Sequence, residues 1–185
     1  LLEITDHALA MPMEFDILSL KIKAHVENIE SFQDRLDGII KQLKTMIQSS
    51  DFPAKERHYI ELLEEMPGIG FLTAVTLIAE IGDFSRFDSP DKILAYAGMS
   101  PSTYQSGQLK NCYPHMEKRG SRYLRYALYN GTKYVGRWDP TFAAYLAKKR
   151  AEGKHYNVAL SHAAKKLVRL IFAMEKSRQP YCSAA

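Results

Sequence analysis

The sequence has 185 residues, of which 46% are hydrophobic and 25% are charged, as in an ordinary soluble globular protein. No run of about eighteen apolar residues occurs and no signal pattern opens the chain, so we expect neither a membrane span nor a secretory leader. The two cysteines form no CxxC pair and the six histidines show no ligand spacing, so we expect no disulfide framework, no metal site in this chain and a reducing, cytoplasmic setting.

The net charge of +4 is unevenly distributed along the chain. Residues 1–66 contain 13 acidic and 7 basic side chains, whereas residues 67–185 contain 8 acidic and 18 basic ones. The first part therefore carries a net charge of −6 and the second a net charge of +10. A basic half of this size favours a polyanionic partner, because each Lys or Arg placed on a phosphate releases counterions. A solvated basic surface explains the same charge equally well.

Apolar residues recur every seven positions over residues 15–48. Two interleaved series form a seam that only His25 interrupts: Phe15, Ile22, Ile29, Leu36 and Leu43, and Leu18, Phe32, Ile39 and Met46. This pattern predicts one long coiled-coil-like helix, whose apolar stripe must be covered by a second chain or by a neighbouring helix. We therefore expect a homo-oligomer joined through residues 15–48, with His25 as a polar residue tolerated in the seam.

Capping residues and helix breakers predict a series of shorter helices after residue 50. These helices are predicted over residues 53–66, 71–81, 90–96, 121–136, 140–151 and 157–176. Residues 99–116 have no period and are predicted to form a long irregular region, which in compact domains is usually functional. The predicted fold is therefore mostly α, with a long coiled-coil-like helix in residues 1–65 followed by a helical domain in residues 66–185.

The turn Pro67-Gly68-Ile69-Gly70 between two predicted helices matches the helix-hairpin-helix pattern, which places such a motif near residues 60–82. Glycines allow a tight turn and leave the amides of the following helix open to a phosphate oxygen. Gly68 and Gly70 are therefore candidate nucleic-acid-binding residues, in contacts that position a protein without reading the base sequence. The alternative is a tight turn that serves packing alone.

Four cations lie within eight residues where the irregular region enters a predicted helix: Lys118, Arg119, Arg122 and Arg125. The guanidinium fork of arginine matches phosphate geometry, and the amino terminus of a helix adds partial positive charge. These four residues are candidate phosphate contacts, and a solvated basic face is the alternative.

A serine precedes a glycine inside the irregular region, at Ser106, and Lys110 follows it. A serine beside a glycine in a loop can present its hydroxyl freely, although most such pairs are simple turns. His115 is a conceivable general base, but nothing nearby has the spacing of a hydrolase triad. Taken alone, this motif does not distinguish catalysis from a turn.

In their order and spacing these motifs resemble one family, the insertion-sequence one-ten family of DEDD-type transposases. The resemblance rests on residues 66–70, 73–74, 79–83, 87, 95–98, 101, 106–107, 118–120 and 124–125, and on the preceding coiled-coil segment. Individually the motifs are weak, whereas their succession over about 70 residues is specific to this family.

The resemblance implies properties that the residues alone do not. Family members have an amino-terminal RNase H-like domain with four acidic metal ligands, and a carboxy-terminal domain whose serine becomes covalently attached to DNA. The position of that serine, before a glycine in the loop, is Ser106 here. The acidic site has no counterpart in this sequence, so we expect a carboxy-terminal fragment that binds DNA but is inactive alone. No cofactor is expected in this chain, whereas Mg²⁺ is expected for the full-length protein.

The predicted function is therefore that of a DNA transposase, which breaks and rejoins strands with Ser106 as nucleophile and Lys110 among its nucleic-acid contacts. Because some family members use a structured noncoding guide RNA, RNA is a second expected partner, and the expected location is the nucleoid region of a bacterial or archaeal cytoplasm. One alternative is a noncatalytic helix-hairpin-helix adaptor that binds nucleic acid. Another is a coiled-coil oligomerisation module with an incidental basic face.

Overall fold

The computed structural model describes residues 14–102, 105–106, 109–110 and 115–182, and helices dominate it. The helices are α1 (Glu14–Gln48), α2 (Ala54–Glu64), α3 (Phe71–Ile81), α4 (Pro90–Tyr96), α5 (Arg122–Trp138), α6 (Pro140–Ala151) and α7 (Tyr156–Ser177), with a 3₁₀ turn at Phe84–Arg86. The prediction of a mostly α fold is confirmed, and each predicted helix is present with ends within two residues of the expected ones.

The chain divides into two compact units, and the boundary along the sequence lies between Phe52 and Pro53. The sequence analysis placed this boundary at residue 65, whereas α2 belongs to the second unit. Its apolar face is buried, and the Tyr59 hydroxyl donates a hydrogen bond to Glu175 Oε1 of α7 at 2.9 Å. Burial and this bond raise the pKa of Tyr59, which keeps the hydroxyl protonated as a donor.

The helix α1 of the first unit exposes most of its large apolar side chains. More than a third of the surface of each is accessible: Ile17, Leu18, Leu20, Ile29, Phe32, Leu36, Ile39 and Met46. None of the described helices has the length and hydrophobicity needed to cross a membrane. An apolar stripe of this extent on a single chain is typical of a helix that packs against a partner.

The second unit is organised around α5, which packs against α3, α6 and α7. Leu124, Leu128 and Val135 of α5 are fully buried, as are Leu77 of α3 and Leu167 of α7. These residues repeat at helical spacing, so one side of α5 forms the centre of the core and the other side faces outwards.

Asp139 ends α5 and begins α6. Its carboxylate accepts a hydrogen bond from the backbone amide of Phe142 at 2.8 Å and another from the Tyr181 hydroxyl at 2.9 Å. The carboxylate is buried, and these bonds satisfy it as an amino-terminal cap of α6. The carboxy-terminal end of α5, including Trp138, is therefore held in one orientation.

The turn between α2 and α3 lies directly on the backbone of α5. Gly68 has a φ of +91°, and a Cβ atom built there would lie 2.5 Å from the carbonyl carbon of Tyr134 and from the amide nitrogen of Val135. Gly70 has an ordinary φ of −94°, and among the described atoms none lies within 4 Å of a Cβ built there. Packing against α5 therefore requires glycine at position 68 but not at position 70.

Replacing Gly68 by alanine is expected to lower the free energy of unfolding by roughly 2–4 kcal/mol, because the new methyl group meets backbone atoms and the residue is held at positive φ. The matched change Gly70→Ala is expected to cost about 1 kcal/mol or less, the usual effect of alanine at a helix cap. Urea denaturation followed by circular dichroism measures both. Equal losses for the two variants would contradict this account of the turn.

Candidate nucleic-acid interface

Between α4 and α5 the backbone forms an antiparallel ladder, where the sequence analysis expected an irregular region. At its base, the Lys118 amide donates to the Gly98 carbonyl at 3.0 Å and the Glu117 amide to the Ser100 carbonyl at 3.1 Å. Pro101 and Met116 pair next along the ladder. We call the described residues 98–102 and 115–118 the β ladder.

Ser106 belongs to a separate described pair of short strands. There, β1 (Gln105–Ser106) pairs with β2 (Leu109–Lys110), with Ser106 opposite Leu109. The side chains of Ser106 and Lys110 lie outside the described part of the structure, as does Gly107, so their predicted roles stay predictions. Strands of two residues are too short to show the alternation of apolar and polar residues from which a strand is predicted.

His115, which the sequence analysis considered as a general base, is hydrogen-bonded to Ser102 of the β ladder. Its Nδ1 lies 3.1 Å from Ser102 Oγ, and its backbone amide donates to the same oxygen at 3.2 Å. The Ser102 amide donates in turn to the His115 carbonyl at 2.7 Å. These bonds join facing residues of the ladder and explain the position of His115 by local structure.

Arg125 anchors the base of the β ladder to α5. Its Nη1 donates hydrogen bonds to the carbonyl of Ala97 at 2.8 Å and to the carbonyl of Lys118 at 3.3 Å. Gly98 lies beneath the guanidinium with a φ of +67°, and a Cβ atom there would be 2.8 Å from Nη1. The half-buried Arg125 thus holds the two segments of the ladder, whereas the sequence analysis interpreted it only as a phosphate contact.

Ser121 begins α5, as the sequence predicted, and ties this helix end to α3. Its hydroxyl oxygen accepts a hydrogen bond from the Leu124 amide at 3.0 Å and donates one to Glu80 Oε2 at 2.6 Å. The Ser121 amide also donates to the Tyr96 carbonyl at 2.9 Å. The amino-terminal end of α5 is therefore fixed relative to both α3 and α4.

The outward side of α5 combines cations with aromatic rings. The helix contains four basic and no acidic residues, and its exposed side chains, here called the α5 face, are Arg122, Tyr123, Tyr126, Lys133, Tyr134, Arg137 and Trp138. Arg122 stacks over the ring of Tyr123 with 4.8 Å to its centroid, and its Nη2 donates to the Tyr123 hydroxyl at 2.7 Å. Lys118 and Arg119 are exposed just before the helix begins. Such a face suits a phosphate backbone with accessible bases.

Sequence analysis did not identify most residues of the α5 face as candidate binding residues, because it concentrated on the buried positions of the helix. The signal was present in the order Arg-Tyr-x-x-Tyr, then Lys-Tyr-x-x-Arg-Trp, without a single acidic residue. Cations and rings spaced three or four apart share one side of a helix, so the complement of the apolar stripe is itself informative.

A cavity of about 630 Å³ opens where the 66–70 turn meets the end of α5. Its lining residues are Pro67, Gly68, Ile69, Gly70, Thr73, Tyr134 and Trp138. The two glycines predicted to contact nucleic acid therefore lie beside two rings of the α5 face. Within the described ranges, no three His, Cys, Asp or Glu side chains are grouped so as to hold a metal ion.

Comparison with known proteins identifies relatives of this chain. Residues 60–147 match the sequence model of the transposase IS116/IS110/IS902 family. The chain is similar to the 43.6 kDa protein of insertion element IS110 from Streptomyces coelicolor, with 32% identity over 61% of the chain and 28% of that protein. It is also similar to the 42 kDa protein of insertion element IS900 from Mycobacterium paratuberculosis, with 30% identity over 80% of the chain and 38% of that protein.

A further relative is named for recombination. The pilin gene-inverting protein of Moraxella bovis is 27% identical over 90% of the chain and 51% of that protein. The chain thus spans between 28% and 51% of the length of these three relatives. The matches support the family that the motifs resemble.

Arg125 and Arg122 are expected to respond differently to replacement by alanine, although the sequence presents them alike. Arg125→Ala removes the donor to two backbone carbonyls and is expected to lower the free energy of unfolding by roughly 1.5–3 kcal/mol. Arg122→Ala is expected to change it by about 0.5 kcal/mol or less, because its side chain is exposed. Urea denaturation measures both variants.

The same two variants distinguish an arginine that anchors the protein backbone from one that contacts a phosphate. In a titration with duplex DNA at several salt concentrations, Arg122→Ala is expected to flatten the log–log salt dependence by about one. Arg125→Ala is expected to leave that slope nearly unchanged. A flatter slope for Arg125→Ala, together with unaltered stability, would assign Arg125 to the DNA instead.

Proposed function

Because residues 60–147 match the transposase IS116/IS110/IS902 family, we propose that this chain is the carboxy-terminal, DNA-binding part of a DEDD-type transposase. In the whole protein it contributes a serine nucleophile that breaks and rejoins DNA strands. The observation that carries this proposal is the attachment through Arg125 of the β ladder, between whose two segments Ser106 lies in the sequence, to the amino-terminal end of the cationic α5 face.

Phosphate binding is proposed for the exposed cations beside the β ladder. Lys118, Arg119 and Arg122 lie in the open at the start of α5, where the helix dipole adds positive potential. Arginine forks there can bind a phosphate bidentately. We also propose that α2, the 66–70 turn and α3 act as a helix-hairpin-helix, with exposed Gly70 at the amino terminus of α3 beside the phosphate.

The proposed chemistry is transesterification. The oxygen of Ser106 attacks the phosphorus of a DNA phosphodiester, so that a serine–phosphate bond forms while the bond to one deoxyribose oxygen breaks. The serine loses its proton and the leaving oxygen gains one, and the number of phosphoester bonds is unchanged, so rejoining needs no external energy source. Cations beside the reacting phosphate stabilise the negative charge that grows on it.

Activation of Ser106 needs a partner, because a serine hydroxyl is a poor nucleophile at neutral pH. The described residues do not fit a metal site, and we assign no step of the reaction to a metal held by this chain. We propose that Mg²⁺ belongs to an RNase H-like domain elsewhere in the whole protein. A guide RNA is a second proposed partner, since the exposed cations bind any phosphate backbone.

A noncatalytic nucleic-acid-binding adaptor is the second candidate function. It is favoured by the α5 face, whose cations and rings do not depend on Ser106. The two functions differ in whether the protein becomes covalently linked to DNA.

Self-association is proposed for α1, because its exposed apolar stripe exceeds what an isolated helix leaves in water. Ile29→Glu combined with Leu36→Glu places two charges in the stripe and is expected to shift the chain towards monomer in analytical ultracentrifugation. Ser31→Glu with Thr45→Glu adds the same charge away from the stripe and is expected to keep the original mass. An unchanged mass for the first variant, with its helicity intact, would contradict self-association through α1.

Ser106→Ala is expected to abolish strand cleavage by the whole protein in the presence of Mg²⁺ and cognate DNA, while DNA binding stays nearly intact. The change removes the attacking oxygen but none of the cationic phosphate contacts. Ser102→Ala is the matched control, because Ser102 lies in the β ladder with His115 as its partner, and it is expected to retain cleavage.

The covalent intermediate gives the direct measurement. A suicide DNA substrate traps it, and mass spectrometry of the linked peptide is expected to identify Ser106. Attachment at Ser102 or Ser121 would refute the assignment within a serine mechanism. Cleavage by Ser106→Ala at the normal rate, with no covalent protein–DNA product, would exclude the serine mechanism altogether and leave DNA binding as the function of this chain.

A further inference from the structure

We infer that the cavity between the 66–70 turn and the end of α5 receives an unpaired base of a single DNA strand. This inference rests on the proposed function, because the strand must first be bound by the α5 face. It adds a binding site for a base, whereas the phosphate contacts proposed above do not depend on the base sequence.

The rings that line the cavity are accessible for stacking. Tyr134 and Trp138 stand four residues apart on α5, on the same side of the helix, and 51% and 64% of their surfaces are exposed. Every base has a flat π surface that stacks on such rings with little regard to its identity. Aromatic side chains of this size exposed together at a concave site are typical of a binding surface.

The rest of the lining comes from the 66–70 turn and from Thr73 of α3. Gly68 is fixed against the backbone of α5, and Ile69 beside it is buried. Gly70 leaves the edge open, since no described atom lies within 4 Å of a Cβ built there. The volume of about 630 Å³ falls within the roughly 300–1,000 Å³ of small-molecule sites, and so leaves room for a nucleobase.

Charge identifies the occupant as part of an anion. Lys133 and Arg137 are exposed on α5 beside the two rings, and the Arg137 guanidinium lies 5.7 Å from the centroid of the Trp138 ring. Because α5 contains no acidic residue, nothing on this helix repels a phosphate next to the cavity. A flat apolar group attached to a phosphodiester chain satisfies both the rings and the cations, whereas an apolar peptide satisfies only the rings.

The base must be unpaired. In a duplex the faces of each base are covered by its neighbours, and only an extruded or single-stranded base can stack on a protein ring. Breaking and rejoining strands passes through states with such bases. We commit to DNA as the strand because the relatives are transposases of insertion elements and a gene-inverting protein.

Trp138 is the only tryptophan of the chain, so its fluorescence reports on the cavity directly. The test titrates the 185-residue protein with a single-stranded DNA of about twelve nucleotides and with the duplex of the same sequence. The single strand is expected to quench Trp138 emission and to protect it from acrylamide, and the duplex is expected to do neither. This comparison needs no variant.

Two variants of α5 complete the test. Tyr134→Ala is expected to weaken single-strand binding about 5- to 150-fold, the effect of losing one stacked base, and to leave duplex binding unchanged. Tyr134→Phe keeps the aromatic ring and is expected to bind the single strand as tightly as the unmodified protein. Tyr156→Ala is the matched control, because Tyr156 is 41% exposed at the start of α7, lies outside the α5 face and does not line the cavity.

Each contrary result has a distinct meaning. Equal quenching by duplex and single strand, or equal effects of Tyr134→Ala and Tyr156→Ala, would overturn the cavity as a base site. Stronger binding of RNA of the same sequence would overturn DNA as its occupant. A chain that binds neither DNA form would contradict the DNA binding in the proposed function itself, whereas single-strand binding without quenching would contradict only this inference.

Discussion

The second unit depends on close backbone contact at both ends of α5. At the carboxy-terminal end, Gly68 brings the 66–70 turn onto Tyr134 and Val135, and at the amino-terminal end Gly98 lies against the backbone of Lys118 and Arg119. Both glycines have positive φ, so a side chain at either position would add conformational strain to a steric clash. Because α5 also packs on α3, α6 and α7, these contacts relate every element of the site to one helix.

The use of one side of α5 for packing explains what the other side can do. The buried side carries Leu124, Leu128 and Val135, so the stability of the unit does not rely on the α5 face. Exposed rings such as Tyr126 and Trp138 add little to folding, and their presence on a helix without acidic residues is better explained by binding. Arg125 and Arg122 show the same division within one turn, since the first bonds to backbone carbonyls and the second lies in solvent.

Local signals in the sequence predicted the helices well, because caps and breakers act over a few residues. Ser121 and Asp139 both cap helices where the sequence placed helix starts. The role of Arg125 could not be predicted in this way, because its acceptor at Ala97 lies 28 residues earlier in the chain. The cavity likewise needs the 66–70 turn and the end of α5 together. Non-local contacts of this kind leave no period in the sequence.

The single helix also sets the geometry that a bound strand must satisfy. With 17 residues, α5 is about 25 Å long, which equals roughly seven base-pair rises along the axis of a duplex. The anchor of the β ladder lies at one end of this length and the cavity at the other, on a helix whose ends are held by Ser121 and Asp139. A strand that reaches both places therefore meets them at a fixed separation. A base held in the cavity would then determine which phosphate lies beside the β ladder, so that binding at one end of α5 selects the bond presented at the other.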